Sequence, residues 1–355
     1  REHTRGMWLD GRLIAALRLV THTVRLGEAR LKMGGFAAVT TEPAFRGKGY
    51  MAQLMNDSMR YLQGHGYHIA ALFGIADFYH RWGFASVLPE YVSIIEMHEA
   101  DVAAVGRGKH RAIKPGDVPA VQRIHNRNDE ETACSIIRIA AHISNRWNRW
   151  KHGRVITDDK GKVVAYFLGG AQGGDYSVDE VGVADYDWCP AVLNACMAQA
   201  KSEYVSRIRF AAPPTHPMAR YLLQYRSDHE MHVSRNSNGM MAATNIGETL
   251  ECMAPEWEAL LMRAGASALC AEFTLVIGRK PWRIRAHRGA VDVAQTNGAN
   301  KISVSPIELM QLLSGSRHLD EILALKRRVV KTPGMTLLTA LFPKRAPYVW
   351  HLDRF

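Results

Sequence analysis

The chain has 355 residues, 47% of them hydrophobic, 22% charged and 8% aromatic, with a formal net charge of +11. That length suits two or three domains that each bury a core, and the composition is that of a globular protein rather than a disordered or fibrous one. No apolar run approaches the roughly 18 residues that would span a membrane.

The five cysteines are odd in number and form no C-x-x-C pair, so neither a disulfide framework nor a zinc site is expected. Reduced, partly buried thiols in a cytoplasmic protein are expected instead. The sixteen histidines show no H-E-x-x-H pattern, and no metal is expected. A basic balance suits anionic ligands. Here it is spread along the chain, with short clusters at 326–328 (KRR) and 279–288 (RKPWRIRAHR). A solvated basic surface or a coenzyme site is therefore expected, and no nucleic acid. Nothing resembles a signal peptide, although residue 1 is Arg rather than Met, as in a sequence lacking its true start.

In chain order, "GRLIAALRLVTHTVRL" and "GGFAAVTTEP" read as strands, the second ending at a proline. "GYMAQLMNDSMRYLQGHGY" sets Met51, Leu54, Met55, Met59 and Leu62 at helical spacing, with Gly64 and Gly66 as stops. "HIAALFG" and, after Pro89, "YVSIIEM" are further strands. A polar stretch then leads to a capped helix in "RAIKPGDVPAVQRIH". "GRVITDDKGKVVAYFLGG" predicts a hairpin turning at Asp158–Gly161. A strand around "SVDEVGVAD", a helix "CPAVLNACMAQAKSEY" and a strand "RIRFAAPP" repeat the first unit's strand–helix–strand order. After Gly239, "APEWEALLMRAG" is helical, "CAEFTLVIG", "WRIRAH", "AVDVAQ" and "KISVSP" are strands, and "PIELMQLLSG" and "HLDEILALKRR" are helices before an apolar tail.

The segment with chemical content is "VTTEPAFRGKGYMAQLM", Val39 to Met55: a strand, a basic glycine-containing turn, then a helix. Unpaired N–H groups and the positive dipole end make a helix start an anion site. Gly47 and Gly49 would let the backbone approach closely, and Arg46 and Lys48 add charge. The turn lacks the G-K-S/T ending of a Walker A loop and is no G-x-G-x-x-G fingerprint.

Arg46-Gly47-Lys48-Gly49-Tyr50-Met51 resembles the acetyl-CoA signature R/Q-x-x-G-x-G/A of the GNAT acetyltransferases, departing at Met51. A larger residue there is similar to the Eis (enhanced intracellular survival) branch. Further on, "GIADFYHRWGF" resembles the second GNAT signature, with Tyr79 four residues before Gly83-Phe84. The resemblance implies an α/β (α+β) fold of tandem GNAT-like domains, mixed sheets flanked by helices, followed by a sterol-carrier-like α+β domain. It divides the chain into a catalytic GNAT domain at 1–108, a degenerate second copy at 109–236 and a sterol-carrier-like domain at 237–355. The resemblance further implies a first strand and helices before the equivalent of residue 1; their lack here is expected to reflect either a truncated sequence or an acceptor pocket built differently.

The function implied is N-acetyl transfer from acetyl-CoA to a primary amine, such as an aminoglycoside, a polyamine or a lysine side chain. Val39, Thr40 and Thr41 are expected along the pantetheine arm, Arg46, Gly47, Lys48, Gly49, Tyr50, Met51 and Ala52 around the pyrophosphate, and Gly74 and Ile75 beside the coenzyme. Tyr79, with a phenol of reference pKa near 10, is the expected general acid for the thiolate; its bland alternative is a core tyrosine beside Phe78 and Trp82. For the base, Asp77, His80 and His68 are the neighbours in sequence, whereas the resemblance implies the terminal carboxylate of Phe355. Asp10, Glu28 and Glu42 could attract a cationic acceptor. A homo-oligomer, hexameric in the family, is implied as well. The competing reading is a non-catalytic acyl-CoA or lipid-binding carrier or regulator.

Overall fold

The computed structural model describes residues 3–104, 106, 108–325 and 334–355, so the cluster at 326–328 lies outside the described residues. The chain groups into two compact units: Arg1–Leu88 with Val233–Pro347 and Phe355, and Pro89–His232 with Tyr348–Arg354.

In the first unit, β1 (His3–Leu9), β2 (Arg12–Leu26) and β3 (Ala29–Thr41) form an antiparallel meander, followed by α1 (Tyr50–Gly64), β4 (Ile69–Gly74) and β5 (Ala85–Leu88). The second unit holds β6 (Glu90–Glu96), α2 (Met97–Ala103), β7 (Lys109–Ala112), α3 (Val118–Asn128), α4 (His142–Asn145), α5 (Trp147–Trp150), β8 (Arg154–Thr157), β9 (Val163–Gln172), β10 (Asp175–Val183), α6 (Cys189–Ser202), β11 (Arg207–Ala211), α7 (Pro217–Leu222) and β12 (Asp228–His232). The chain then returns to the first unit with β13 (Asn238–Ala243), α8 (Ile246–Cys252), α9 (Ala254–Arg263), β14 (Ala271–Ile277), β15 (Lys280–His287), β16 (Ala290–Ala294), β17 (Lys301–Val304), α10 (Pro306–Ser314), α11 (Leu319–Leu325) and α12 (Gly334–Leu341).

Among the described residues the first unit builds one sheet in the order β1-β2-β3-β4-β13-β5 and another in the order β16-β15-β14-β17. β13 comes from far along the chain yet fills the slot between β4 and β5, pairing antiparallel with both. Helix α1 crosses from β3 to the parallel β4 and buries Leu54, Met55, Ser58 and Leu62. It packs against Leu19, Phe36, Ala70 and Leu72 of the sheet. Leu19, Phe36 and Leu72 are register partners across three strands and Ala70 lies two residues before Leu72, so all four share one face. The helix ends as the glycines predict: Gly66 takes φ +66° and the Tyr67 N–H reaches back to the Leu62 carbonyl at 3.1 Å, a left-handed C-terminal cap.

The second unit's sheet runs β12-β6-β11-β10-β9-β8-β7. Its β10–α6–β11 crossover, with β10 parallel to β11, repeats the layout of β3–α1–β4. The hairpin turn falls where expected: Asp158 Oδ1 accepts the Lys160 and Lys162 N–H groups at 3.0 and 2.8 Å. The run at 279–288 is mostly strand β15, and its Arg285 pairs with Asp292 on the neighbouring β16 at 3.0 Å.

The C-terminal tail is fixed in this unit by buried charge. Arg138 donates to both oxygens of Glu180 at 2.7 Å and to both oxygens of Asp353 at 2.8 and 3.0 Å. Tyr166 donates to Glu180 at 2.9 Å, and the Trp350 indole donates to Asp129 at 2.8 Å. Arg138, Glu180 and Asp353 are buried. Burial opposes ionisation of Asp353, but the Arg138 charge and its hydrogen bonds outweigh it and hold the carboxyl below its usual range. At Asp129 burial prevails over the Trp350 hydrogen bond and the Arg138 charge, and pushes the carboxyl up to about 7. Two further bonds, Tyr348 N–H to the Ala133 carbonyl at 2.9 Å and Arg354 to Glu90 at 2.7 Å, complete the seat.

Removing one member of a buried charge set strands the others, at a cost of about 3–5 kcal/mol. Arg138→Met should lower the unfolding free energy of the second unit by about that much, read as a shifted urea midpoint in tryptophan fluorescence. Adding Glu180→Gln and Asp353→Asn should restore part of the loss.

Candidate active site

The β3–β4 ladder is short. It pairs Met33 with Ile69 through Phe36 with Leu72 and then stops, while β3 runs on to Thr41 and β4 to Gly74. The departure has a local cause in β3. Ala38 takes φ +49°, and the β2–β3 register slips so that Arg18 faces Ala37 but Ala16 faces Thr40. An extra residue in one strand bends it and breaks its pairing. The backbone groups of Val39 to Thr41 are thereby turned away from β4 and left for another partner.

At this opening lies a cleft of about 650 Å³ lined by Val39, Thr40, Thr41, Phe45, Arg46, Gly47, Gly49, Tyr50, Met51, Ala52, Ile75, Phe78, Tyr79 and Arg81. One wall is the turn into α1. Gly47 and Gly49 sit at φ +75° and +81°, and no side chain caps the helix start. The left-handed backbone requires glycine there, and the first N–H groups of α1 remain without an intrahelical acceptor. Arg46 donates through Nε to the Thr41 carbonyl at 3.2 Å, which ties the turn to the end of β3.

The opposite wall carries Tyr79, which is 8% exposed. Its ring meets Phe78 edge-on at 4.9 Å and lies 6.1 Å from both Trp82 and Phe84. Burial pushes its phenol above the usual tyrosine pKa, so it holds its proton across the neutral range. Phe78, Trp82 and Phe84 are thus a scaffold for a phenol that also lines the cleft.

Three of the sequence-predicted residues do not line it. Lys48 is exposed, with Nζ 5.1 Å from the Phe45 ring centre. Gly74 lies beneath Tyr79: a Cβ there would stand 2.9 Å from the Tyr79 ring, so the missing side chain makes room for the phenol. Phe355 packs on β3, stacked on His22 at 5.6 Å and edge-on to Phe73 at 5.8 Å. A Cβ on Gly35 would come within 2.5 Å of the Phe355 ring. Gly35 is registered with Ala71, and Phe73 lies two residues beyond, so the ring sits on the sheet face opposite α1.

The other titratable candidates are engaged elsewhere. His68 accepts the Lys32 N–H through Nδ1 at 2.9 Å at the start of β4, and burial lowers its pKa. Asp77 is exposed at φ +66° and lies 3.9 Å from His80. Glu42 is hydrogen-bonded to Arg12, Glu28 gives its N–H to Glu256 at 2.8 Å, and Asp10 occupies the β1–β2 turn at φ +49°. None of these six lines the cleft. Sequence reasoning missed Phe45, Phe78 and Arg81 as lining residues; their spacing, an aromatic with a cation three residues on, was the available signal.

The equivalent crossover in the second unit has no such opening. The approach to α6 is Asp185-Tyr186-Asp187-Trp188, with Asp185 accepting the Asp187 N–H at 3.2 Å. Two carboxylates stand where an anion would dock, and a Cβ on Gly106 would meet the Ala191 backbone at 2.5 Å, so chain already covers the helix start.

Residues 1–87 match the family described as acetyltransferase (GNAT) domain. No curated protein matches the sequence. Among solved structures the chain is similar to a conserved protein of unknown function, probable N-acyltransferase, from Enterococcus faecalis. The TM-score is 0.78 at 15% identity, over 100% of this chain and 89% of that one. It is similar also to a GCN5-related N-acetyltransferase from Kribbella flavida (TM-score 0.76, 17% identity, 99% of this chain and 87% of that one). A third is Eis1 from Mycobacterium abscessus (TM-score 0.68, 14% identity, 99% and 90%). At such identities the likeness is one of fold, and it extends along the whole chain. Residues 1–87 are thus similar to a GNAT acetyltransferase domain, within a mixed α/β fold.

The seat of Phe355 is testable without any ligand. Gly35→Ala should cost about 1–3 kcal/mol by overpacking, measured by denaturant unfolding. In a Phe355→Ala background the same change should cost far less.

Proposed function

We propose that the chain transfers an acetyl group from acetyl-CoA to a primary amine, with Tyr79 as general acid and the Phe355 terminal carboxylate as general base. The observation that carries this reading is the cleft. The freed end of β3, the glycine turn, an uncapped helix start and a buried, protonated phenol all face one opening.

The pyrophosphate would rest on the N–H groups from Gly47 to Ala52 with Arg46 beside it, and the pantetheine arm would add to the open edge at Val39–Thr41 as a strand would. The amine nitrogen attacks the thioester carbonyl, forming the C–N bond as the C–S bond breaks. The amine proton passes to the carboxylate, directly or through a water, and the Tyr79 phenol gives its proton to the departing thiolate. An α-carboxylate, with reference pKa about 3.5, is ionised at neutral pH and would also hold a cationic acceptor. No step calls for a metal, because the thioester is already activated and positioning supplies much of the acceleration.

Past Phe36 and Leu72 no ladder separates the two faces of the sheet. A coenzyme held on the α1 side could therefore meet an acceptor from the side where Phe355 packs. The acceptor class is an aminoglycoside, polyamine or lysine-type amine. The same reading takes the chain as cytoplasmic and homo-oligomeric, with three modules (1–108, 109–236 and 237–355), the last sterol-carrier-like.

Thiol release from acetyl-CoA with a panel of such amines tests the reaction; coenzyme binding without release across the panel would favour a carrier of acyl-CoA instead. Tyr79→Phe should lower kcat about 10²–10⁴-fold with KM for acetyl-CoA little changed. Because the phenol is raised above its ordinary pKa, kcat should show no acid-group loss below about pH 10. One glycine added after Phe355 should nearly abolish turnover while leaving coenzyme affinity intact, and unchanged turnover would reject the carboxylate's role. Arg46→Glu should weaken acetyl-CoA binding.

A further inference from the structure

The wall of the cleft opposite the glycine turn holds a cation that the two signatures leave unassigned. Arg81 is exposed, lines the cleft two residues after Tyr79, and is fixed on three sides. Its Nε donates to the Phe78 carbonyl at 3.1 Å. Its guanidinium carbon lies 4.5 Å from the Phe78 ring centre and 4.8 Å from that of Trp82. Trp82 in turn donates from Nε1 to Asn56 of α1 at 2.7 Å, so the aromatic box is referenced to the helix that bears the anion-binding turn.

Such an arrangement is unlike a solvated surface arginine. A guanidinium stacked on aromatic faces loses side-chain freedom before any ligand arrives. Nε is already used, and among the described residues no carboxylate pairs with Arg81. The terminal nitrogens keep the paired, coplanar donors that match two oxygens of a phosphate. The pyrophosphate already has a seat at the glycine turn on the other wall. An anion for Arg81 must therefore be a separate phosphate on the same ligand.

We infer that Arg81 binds the 3′-phosphate of the coenzyme's ribose, and so selects CoA thioesters over their 3′-dephospho forms. The inference rests on the acetyl-CoA reading of the cleft. It goes further by assigning a second phosphate subsite to a residue outside the acetyl-CoA signature, held by Phe78 and Trp82. The ligand phosphate is bound as a dianion with no covalent step.

The test is a two-by-two binding comparison. Dissociation constants for CoA and for 3′-dephospho-CoA are measured by titration calorimetry on the full chain and on Arg81→Ala, with melting curves confirming that both are folded. The full chain should bind CoA about 10-fold or more tighter than 3′-dephospho-CoA, in line with a charge-assisted bidentate contact. Arg81→Ala should lose about 10-fold on CoA, change little on 3′-dephospho-CoA, and so erase the preference. Arg81→Lys, which keeps the charge but not the stacked plane, should recover part of it. A preference that survives Arg81→Ala overturns the assignment, as does an equal loss on both ligands, which would put Arg81 at the pyrophosphate or the adenine. A folded full chain that binds neither ligand removes the acetyl-CoA reading itself, a result distinct from either.

Discussion

The chemistry available to the first unit depends on where one parallel ladder stops. Four registered pairs hold β3 to β4, and beyond Phe36 and Leu72 the strands separate because β3 carries an extra residue at Ala38. Backbone hydrogen bonding is obligatory in a buried sheet, so a strand turned out of its ladder is costly unless water or a ligand takes the place of its neighbour. The same separation sets the end of β3 and the Arg46–Gly49 turn on one side and the Tyr79 loop on the other. Without the bulge the cleft would close as an ordinary sheet, and neither the glycine turn nor Tyr79 would face anything.

The two strand–helix–strand crossovers show how little sequence separates an open helix start from a packed one. β3–α1–β4 and β10–α6–β11 share strand direction and helix placement. In the first, glycines at positive φ leave the helix start open and basic residues flank it. In the second, Asp185 and Asp187 precede the helix, Pro190 occupies its first turn, and Gly106 lies against it. Burial and those two carboxylates push the Cys189 thiol up to about 12, the opposite of an anion-attracting field. Fold alone is therefore silent about binding; the turn chemistry decides it.

Much of this was legible because it was written in local rules. The α1 stripe, its glycine stop, the Asp158 hairpin and the basic glycine turn each depend on residues within a few positions of one another. What stayed hidden depends on residues far apart in sequence. β13 enters the first sheet some 160 residues after β4, and nothing in "NGMMAA" says which strands it will lie between. The tail read as apolar, yet its firmest hold is the charge of Asp353 on Arg138, 215 residues away. A buried ion set has no periodicity to betray it. Phe355 is the reverse case. The residue that makes room for it, Gly35, looks like any strand glycine until the ring is seen against it.

The distribution of charge follows the same division. With a net charge of +11, a basic cleft would be unremarkable if its cations were neutralised by neighbours, as Arg5 is by Asp57 and Arg285 by Asp292. At the glycine turn and the Tyr79 loop the pattern changes. Arg46 is spent on a backbone carbonyl, Lys48 leans on Phe45, and Arg81 rests against Phe78 and Trp82. Aromatic faces and carbonyls orient a cation without cancelling its charge, whereas a carboxylate would do both. A surface selected only for solubility has no reason to prefer the first kind of partner. A site that must hold a multiply charged anion does, because every carboxylate placed at its rim would compete with the ligand for the same cation.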